Sequence, residues 1–386
     1  LPGIFVSEGV VALNWSPLVA LSRGAALMLV VAIAGCASAP APKPVAAPTK
    51  LFFPPAPDAP RIQHLASFSG ERDLAAERSA LAKFVAGEQS GRELEQIYGV
   101  ALSEGRLYAV DSKGAAVAIF DLNKPQFSMF NGGGGGRMKR PINLKIDSDG
   151  TKYITDTGRD QVLVFDRENN FVAAYGEKGQ FRPVDVAIAG DRLYVVDILH
   201  HQVQVLDKRT GRLLSTFGKP GSKEGELFHP TNIAIGPDGD LYIAETSNFR
   251  VQRFKPDGKT VRSYGEVGDT PGKFARPKGV ALDRAGRLYV SDAAFQNVQI
   301  FAVDGSLLMA FGQSAGPETL SLPAAIAIDY DNVALFRKYA DPKFTIEFLI
   351  LVASQISPNK VDVYGFGRLA GADYSADDKP ATAAKP

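Results

Sequence analysis

Few residues of this 386-residue chain could hold a metal, move a proton or attack an electrophile: four histidines (His64, His200, His201, His229), one cysteine (Cys36), and a regular series of carboxylates, Asp111, Asp156, Asp197, Glu245 and Asp292. A zinc site needs three or four convergent ligands. His200 and His201 are adjacent and His229 precedes a proline in the following loop, so together they offer at most a surface site, and no metal is assigned. The carboxylates return at one fixed place in five of six repeated units, with Gln355 in the sixth. A residue that recurs in copy after copy is expected to build the copy, here by accepting hydrogen bonds in a turn.

Other motifs lose their chemical reading in the same way. Gly312-Gln313-Ser314-Ala315-Gly316 matches a nucleophile elbow, but Gly312 is a repeat glycine and no strand-to-helix turn follows. The glycine run from Gly132 to Gly136 lacks the helix that a phosphate loop requires. A single cysteine allows neither haem attachment nor an intrachain disulfide. No catalytic residue and no cofactor is assigned.

The residues that break the repeat are more informative. Where the first strand of each unit begins, the chain has Gly99, Asn143, Asp185, Asn232, Gly279 and Ala325; two residues further on, five units have alanine (Ala101, Ala187, Ala234, Ala281, Ala327) and one has Lys145. Alanine suits a crowded axis, so a lysine there needs a partner or open space, and Asp185 on the next unit is the natural candidate. Either the two form a structural ion pair or the lysine reaches into a wet channel, or else Asn143, Lys145, Asp185 and Asn232, with Lys278 added, make a polar ligand-binding pocket.

The elements that must position these residues follow from the repeat itself. Phe-Gly or Tyr-Gly closes successive units at Tyr175-Gly176, Phe217-Gly218, Tyr264-Gly265 and Phe311-Gly312, and Pro230 and Pro277, which open neighbouring units, lie 47 residues apart. Each unit reads as four short strands rich in Val, Ile, Tyr and Phe, separated by turns such as Pro237-Asp238-Gly239 and Pro256-Asp257-Gly258. That period and pattern specify an all-β fold: a six-bladed β-propeller of four-stranded antiparallel blades. First strands are expected near Val100, Leu144, Val186, Ile233, Val280 and Ile326, and fourth strands ending at Phe68, Phe130, Tyr175, Phe217, Tyr264 and Phe311. The strand ending at Phe68 precedes every first strand, and the last unit stops after its third strand at Val361 to Tyr364. The N-terminal strand is therefore expected to complete the last blade and close the ring.

The repeats resemble the NHL family of propellers, above all in the third-strand segment Asn248-Phe249-Arg250-Val251-Gln252-Arg253-Phe254, and the resemblance covers roughly Arg61 to Gly367. The only tryptophan, Trp15, lies outside the repeats, which sets them apart from tryptophan-aspartate repeats. Some animal NHL propellers bind RNA through a basic face. Here Arg137, Lys139 and Arg140 form one short cluster, the net charge is +1, and no nucleic-acid partner is expected. Amidating lyases that resemble NHL propellers place several histidines around a channel metal, a set this chain does not evidently supply.

The N-terminal region reads as an address. Arg23 precedes the apolar run Ala25 to Ile33, which has the length of a secretory h-region and is too short for a permanent span. Ile33-Ala34-Gly35-Cys36 looks like a bacterial lipobox, which implies cleavage before Cys36 and lipidation of its sulfur and amino group; several acyl chains hold a protein stably on a bilayer. Ala37, where aspartate would retain a lipoprotein at the inner membrane, implies outer-membrane sorting. Residues 1–35 are thus expected to be leader and signal peptide, with an over-extended start before Leu21. Residues 36–60 read as an Ala/Pro-rich tether, 61–370 as the propeller and 371–386 as a disordered tail. Helices are expected over Asp73 to Val85 and Asn332 to Tyr339. The function expected is that of an envelope-tethered, non-catalytic module binding an envelope protein or polymer, the alternative being a lyase or hydrolase at the channel mouth.

Overall fold

The computed structural model describes residues 50–74, 91–313 and 319–375. Among them, six antiparallel sheets form the six blades, and the four internal blades and the first each contain four consecutive strands. Blade one comprises Ile97–Ser103, Arg106–Asp111, Ala116–Asp121 and Gln126–Phe130. Blades two to five begin with the first strands Pro141–Ile146, Pro183–Ala189, Pro230–Ile235 and Pro277–Leu282. All six fourth strands end at the residues expected from the sequence.

The Phe-Gly and Tyr-Gly repeats have a packing reason. Gly176 and Gly265 adopt φ of +95° and +72°, a left-handed turn that other residues avoid. A Cβ on them would lie 2.0 Å from Phe181 and 2.3 Å from Phe274. Those rings, both almost wholly buried, plug the loop that carries the chain to the next blade. The repeat glycine therefore turns the chain out of one sheet and makes room for the plug that seats the next.

The last blade closes the ring as expected. Its sheet runs from the first strand Pro323–Asp329 through Phe344–Ser354 and Val361–Leu369 to the closing strand Ile62–Phe68. Closure is both polar and apolar. Asp362, fully buried, is reached through one carboxylate oxygen by His64 Nε2 at 3.1 Å and by Ser67 Oγ at 2.6 Å. Leu65 and Phe68 join the apolar cluster of Leu107, Phe120, Leu349 and Val363, which spans the first and last blades. Residues 50–60 differ from the tether expected there: Phe52–Phe53 adds a fifth, outermost strand opposite Ile62 and Gln63, and Phe53 packs on Phe311 and Tyr364. Two aromatic residues amid the prolines give this stretch something to bury.

Of the two expected helices, Glu71–Leu74 forms a 3₁₀ turn and the rest of the first lies outside the described residues. The second is present as Val333–Phe336 followed by a 3₁₀ turn at Arg337–Tyr339. It packs on the blade rim: Phe336 faces Phe68, and Asn332 Oδ1 accepts the Gly105 amide of blade one at 2.8 Å. The glycine run forms a 3₁₀ turn at Gly134–Gly136, and Ser314 of the elbow-like motif lies outside the described residues.

Candidate functional site at the channel mouth

The recurrent carboxylates are anchors for the loops around the mouth. Asp156, wholly buried, accepts the amides of Lys139, Arg140, Gly158 and Arg159 at 2.7 to 3.1 Å. Asp292 does the same for Ala275, Arg276, Ala294 and Phe295. Asp111 takes Glu95, Gln96 and Gly114. Each carboxylate thus ties the loop arriving from the previous blade to the loop joining its own second and third strands. In the sixth blade the strand register places Ser354, not Gln355, opposite the opening proline, Pro323, where the other blades have the carboxylate. The expectation for Gln355 is corrected accordingly. Ser354 Oγ accepts the Ser321 amide at 3.4 Å, a weaker version of the same link.

These anchors present a ring of side chains. As the second residue of each first strand, the six blades contribute Tyr98, Ile142, Val184, Thr231, Lys278 and Ala324 to a mouth cavity of about 500 Å³. Arg140 and Arg182 line it further out, their backbone amides held by Asp156 and Asp197. Along the axis lies a second cavity, of about 370 Å³, lined by the middle of all six first strands.

The candidate residues divide among these places. Asn143, Asn232 and Lys278 line the mouth. Lys145 lines the axial cavity and makes no hydrogen bond or ion pair among the described residues. Asp185 lies between blades three and four: it accepts Ile233 N at 3.0 Å and Asn232 Nδ2 at 3.3 Å through one oxygen, and Val186 N at 2.9 Å through the other. The expected Lys145-Asp185 ion pair is therefore not formed. A side chain at this position points towards the following blade, whose amides are nearer to Asp185 than the lysine on the preceding blade. Burial pushes the Asp185 carboxyl above the usual range, and the Lys145 charge and the three hydrogen bonds only partly oppose it. The same direction explains Gly99, where a Cβ would lie 2.6 Å from Asn143 Oδ1 on the next blade.

Lys278 is half-buried and has no side-chain partner among the described residues. Burial, and then the neighbouring Arg276 charge, push its ammonium down from 10.5 to about 8. Sequence reasoning missed Tyr98, Arg140 and Arg182; the available signal was an arginine immediately before the opening proline, at Arg140-Pro141, Arg182-Pro183 and Arg276-Pro277.

Each loop histidine is occupied by a neighbour. His200 Nδ1 donates to Asp197 at 2.7 Å, His201 Nδ1 accepts the His229 amide at 3.0 Å, and His229 Nδ1 lies 2.7 Å from Ser247 Oγ. His201 and His229 stack edge to face at 5.0 Å, and burial pushes the His201 imidazole down. No group of three or more His, Cys, Asp or Glu among the described residues is arranged to hold a metal ion.

Residues 229–254 match the NHL repeat family, and the six sheets form a six-bladed β-propeller. Over 98 residues it is 24% identical to a probable peptidyl-alpha-hydroxyglycine alpha-amidating lyase of Caenorhabditis elegans, a match covering 24% of this chain and 28% of that one. Among solved structures it resembles a streptogramin B lyase (TM-score 0.51, 14% identity), over 70% of this chain and 94% of the other. It also resembles a gluconolactonase from Xanthomonas campestris (TM-score 0.52, 16% identity), over 82% of this chain and 99% of the other. At such identities these structures share the fold.

Proposed function

We propose that this NHL-repeat propeller is a non-catalytic binding module of the bacterial envelope that engages an envelope protein or polymer at its mouth. Asn143, Asn232 and Lys278 make the contacts, Lys145 extends the polar surface along the axis, and Asp185 fixes the seam between the two middle blades. The observation that carries this reading is the mouth itself. One side chain from every blade converges on a cavity of about 500 Å³, while the nearby carboxylates are spent on backbone amides. Within this proposal the module is held at the outer membrane by a lipidated Cys36, which lies outside the described residues. Among the described residues no helix is long and apolar enough to cross a membrane.

Cross-linking in intact envelopes, followed by capture of the full chain and mass spectrometry, tests both parts. One specific partner should be recovered with the wild type and lost with an Asn143→Ala, Asn232→Ala double variant; recovery unaffected by these changes sinks the mouth as the site. The N-terminal peptide should carry acyl chains on Cys36, and Cys36→Ser should move the protein wholly to the soluble fraction. Unchanged fractionation removes the tether.

A second reading, a lyase, draws on the names of the similar proteins and on one observation. His200 is half-exposed and donates a hydrogen bond from Nδ1 to Asp197, which orients Nε2 as an acceptor on the mouth-side loops. Turnover of a peptidyl-α-hydroxyglycine that His200→Ala abolishes would replace the binding module with the lyase.

A further inference from the structure

The mouth has one sign of charge. In the ring of six that frames it, five residues are neutral and Lys278 is the cation; Arg140 and Arg182 stand just outside, and no carboxylate lines the cavity. Arg182 reaches Asp160 at 3.4 Å, whereas Arg140 and Lys278 have no side-chain partner among the described residues. Arg276, two residues before Lys278 and exposed, adds a further positive charge. Lys145, also unpartnered, lines the axial cavity. A half-buried ammonium without a counter-charge is costly, and cations gathered around one cavity raise that cost. An anion in the mouth relieves both. Beside neutral polar residues such as Asn143, Thr157 and Asn232, the walls include an apolar part formed by Ile142, Val184, Ile198 and the Tyr98 ring.

We infer that the group received by the mouth is an oxyanion, a carboxylate or a phosphate, carried on a body with apolar surface; this rests on reading the mouth as the binding site. Lys278 supplies a point charge and Arg140 a planar fork suited to two oxygens. The Lys278 backbone is fixed for this role by Thr231 Oγ, which donates to its carbonyl at 3.2 Å.

The pH dependence has a definite sign. The charged and titratable groups around Lys278 are Arg276, just before its strand, Arg140 and Arg182 on the other blades, and the Tyr98 phenol of blade one. Burial brings the proton loss of Lys278 itself down to about pH 8. Oxyanion binding is full below about pH 8 and is lost as pH rises through that value. The unliganded protein behaves oppositely. Because the unfolded chain keeps this proton up to about 10.5, native stability rises with pH between about 8 and 10.5.

The test uses the full chain labelled with ¹³C at the lysine ε-carbons and with ¹⁵N, titrated with benzoate, phenyl phosphate and the neutral benzyl alcohol. At least one anion should bind saturably at about 10 mM or below and shift the Lys278 signal, and Lys278→Met and Arg140→Ala should each weaken it by about tenfold. Which anion binds decides between carboxylate and phosphate. Neither substitution removes a backbone group, and an unchanged melting temperature shows that the variants fold. Equal binding of benzyl alcohol, with shifts at the Asn143 and Asn232 amides, overturns the oxyanion but keeps the mouth as a site. Absence of any mouth shift with all three probes overturns both. Anion binding that Lys278→Met leaves intact overturns the inference alone.

Discussion

Asp156→Ala is expected to cost about 3 to 5 kcal/mol of stability, enough to remove a large part of the total that holds a typical domain together. The carboxylate is wholly buried and accepts four backbone amides from two loops. Alanine leaves those amides facing a hole, and each buried donor left without an acceptor costs about 1 to 3 kcal/mol, less where the loops relax towards water. One of the four belongs to Arg140, so the mouth is disordered together with the blade. Ser354→Ala provides the internal comparison: a neutral hydroxyl accepting one amide at 3.4 Å should cost only about 1 kcal/mol. Equilibrium denaturation of both variants measures the difference, and equal losses would mean that the carboxylates are not the anchors described above.

The second large effect concerns closure. Deleting residues 50–68 removes the strand that pairs with Val361–Leu369 and exposes that edge, as well as the flanks of the first and last blades. Each large apolar side chain returned to water costs about 1.5 to 3 kcal/mol, so the loss of Phe53, Ile62, Leu65 and Phe68 together rivals the whole stability of a domain. The truncated chain should therefore lose its cooperative melting transition and aggregate through the freed edge. Phe68→Ala is the graded version, expected to cost about 3 to 5 kcal/mol while the ring stays closed. A truncated protein melting sharply at the wild-type temperature would show that the ring stands without its closing strand.

The fold was legible in the sequence because its signals are local and repeated. Period-two apolar strands, glycine turns and a 47-residue spacing are set by neighbours along the chain, and all six fourth strands end where the pattern places them. The candidate site was legible only in part. Asn143 and Asn232 were found because they break a column of the repeat, Lys278 was placed beside them, and all three reach the mouth. The Lys145-Asp185 pairing failed because a period-two pattern says which side of a sheet a residue faces, but not which atom of the adjoining blade lies closest. Asp185 meets the Ile233 amide there instead. Arg140 was set aside with the basic cluster of its loop. What lifts it out is Asp156, sixteen residues away in sequence, which takes its amide and turns the loop over the cavity. The offset at Ser354 has a similar origin, since the register of a hairpin is settled by both strands and one alone does not fix it.

The six-membered ring of mouth residues has an evolutionary consequence. Tyr98, Ile142, Val184, Thr231, Lys278 and Ala324 sit in equivalent places on six sheets whose anchors and plugs lie elsewhere, so if the mouth binds as proposed its selectivity is written in six letters, of which Thr231 and Lys278 are joined by a hydrogen bond. A lineage could rewrite one letter at a time, exchanging Lys278 for a neutral residue or Ala324 for a charged one, without passing through an unstable intermediate. Propellers of this kind would then diversify in what they recognise far faster than in how they fold.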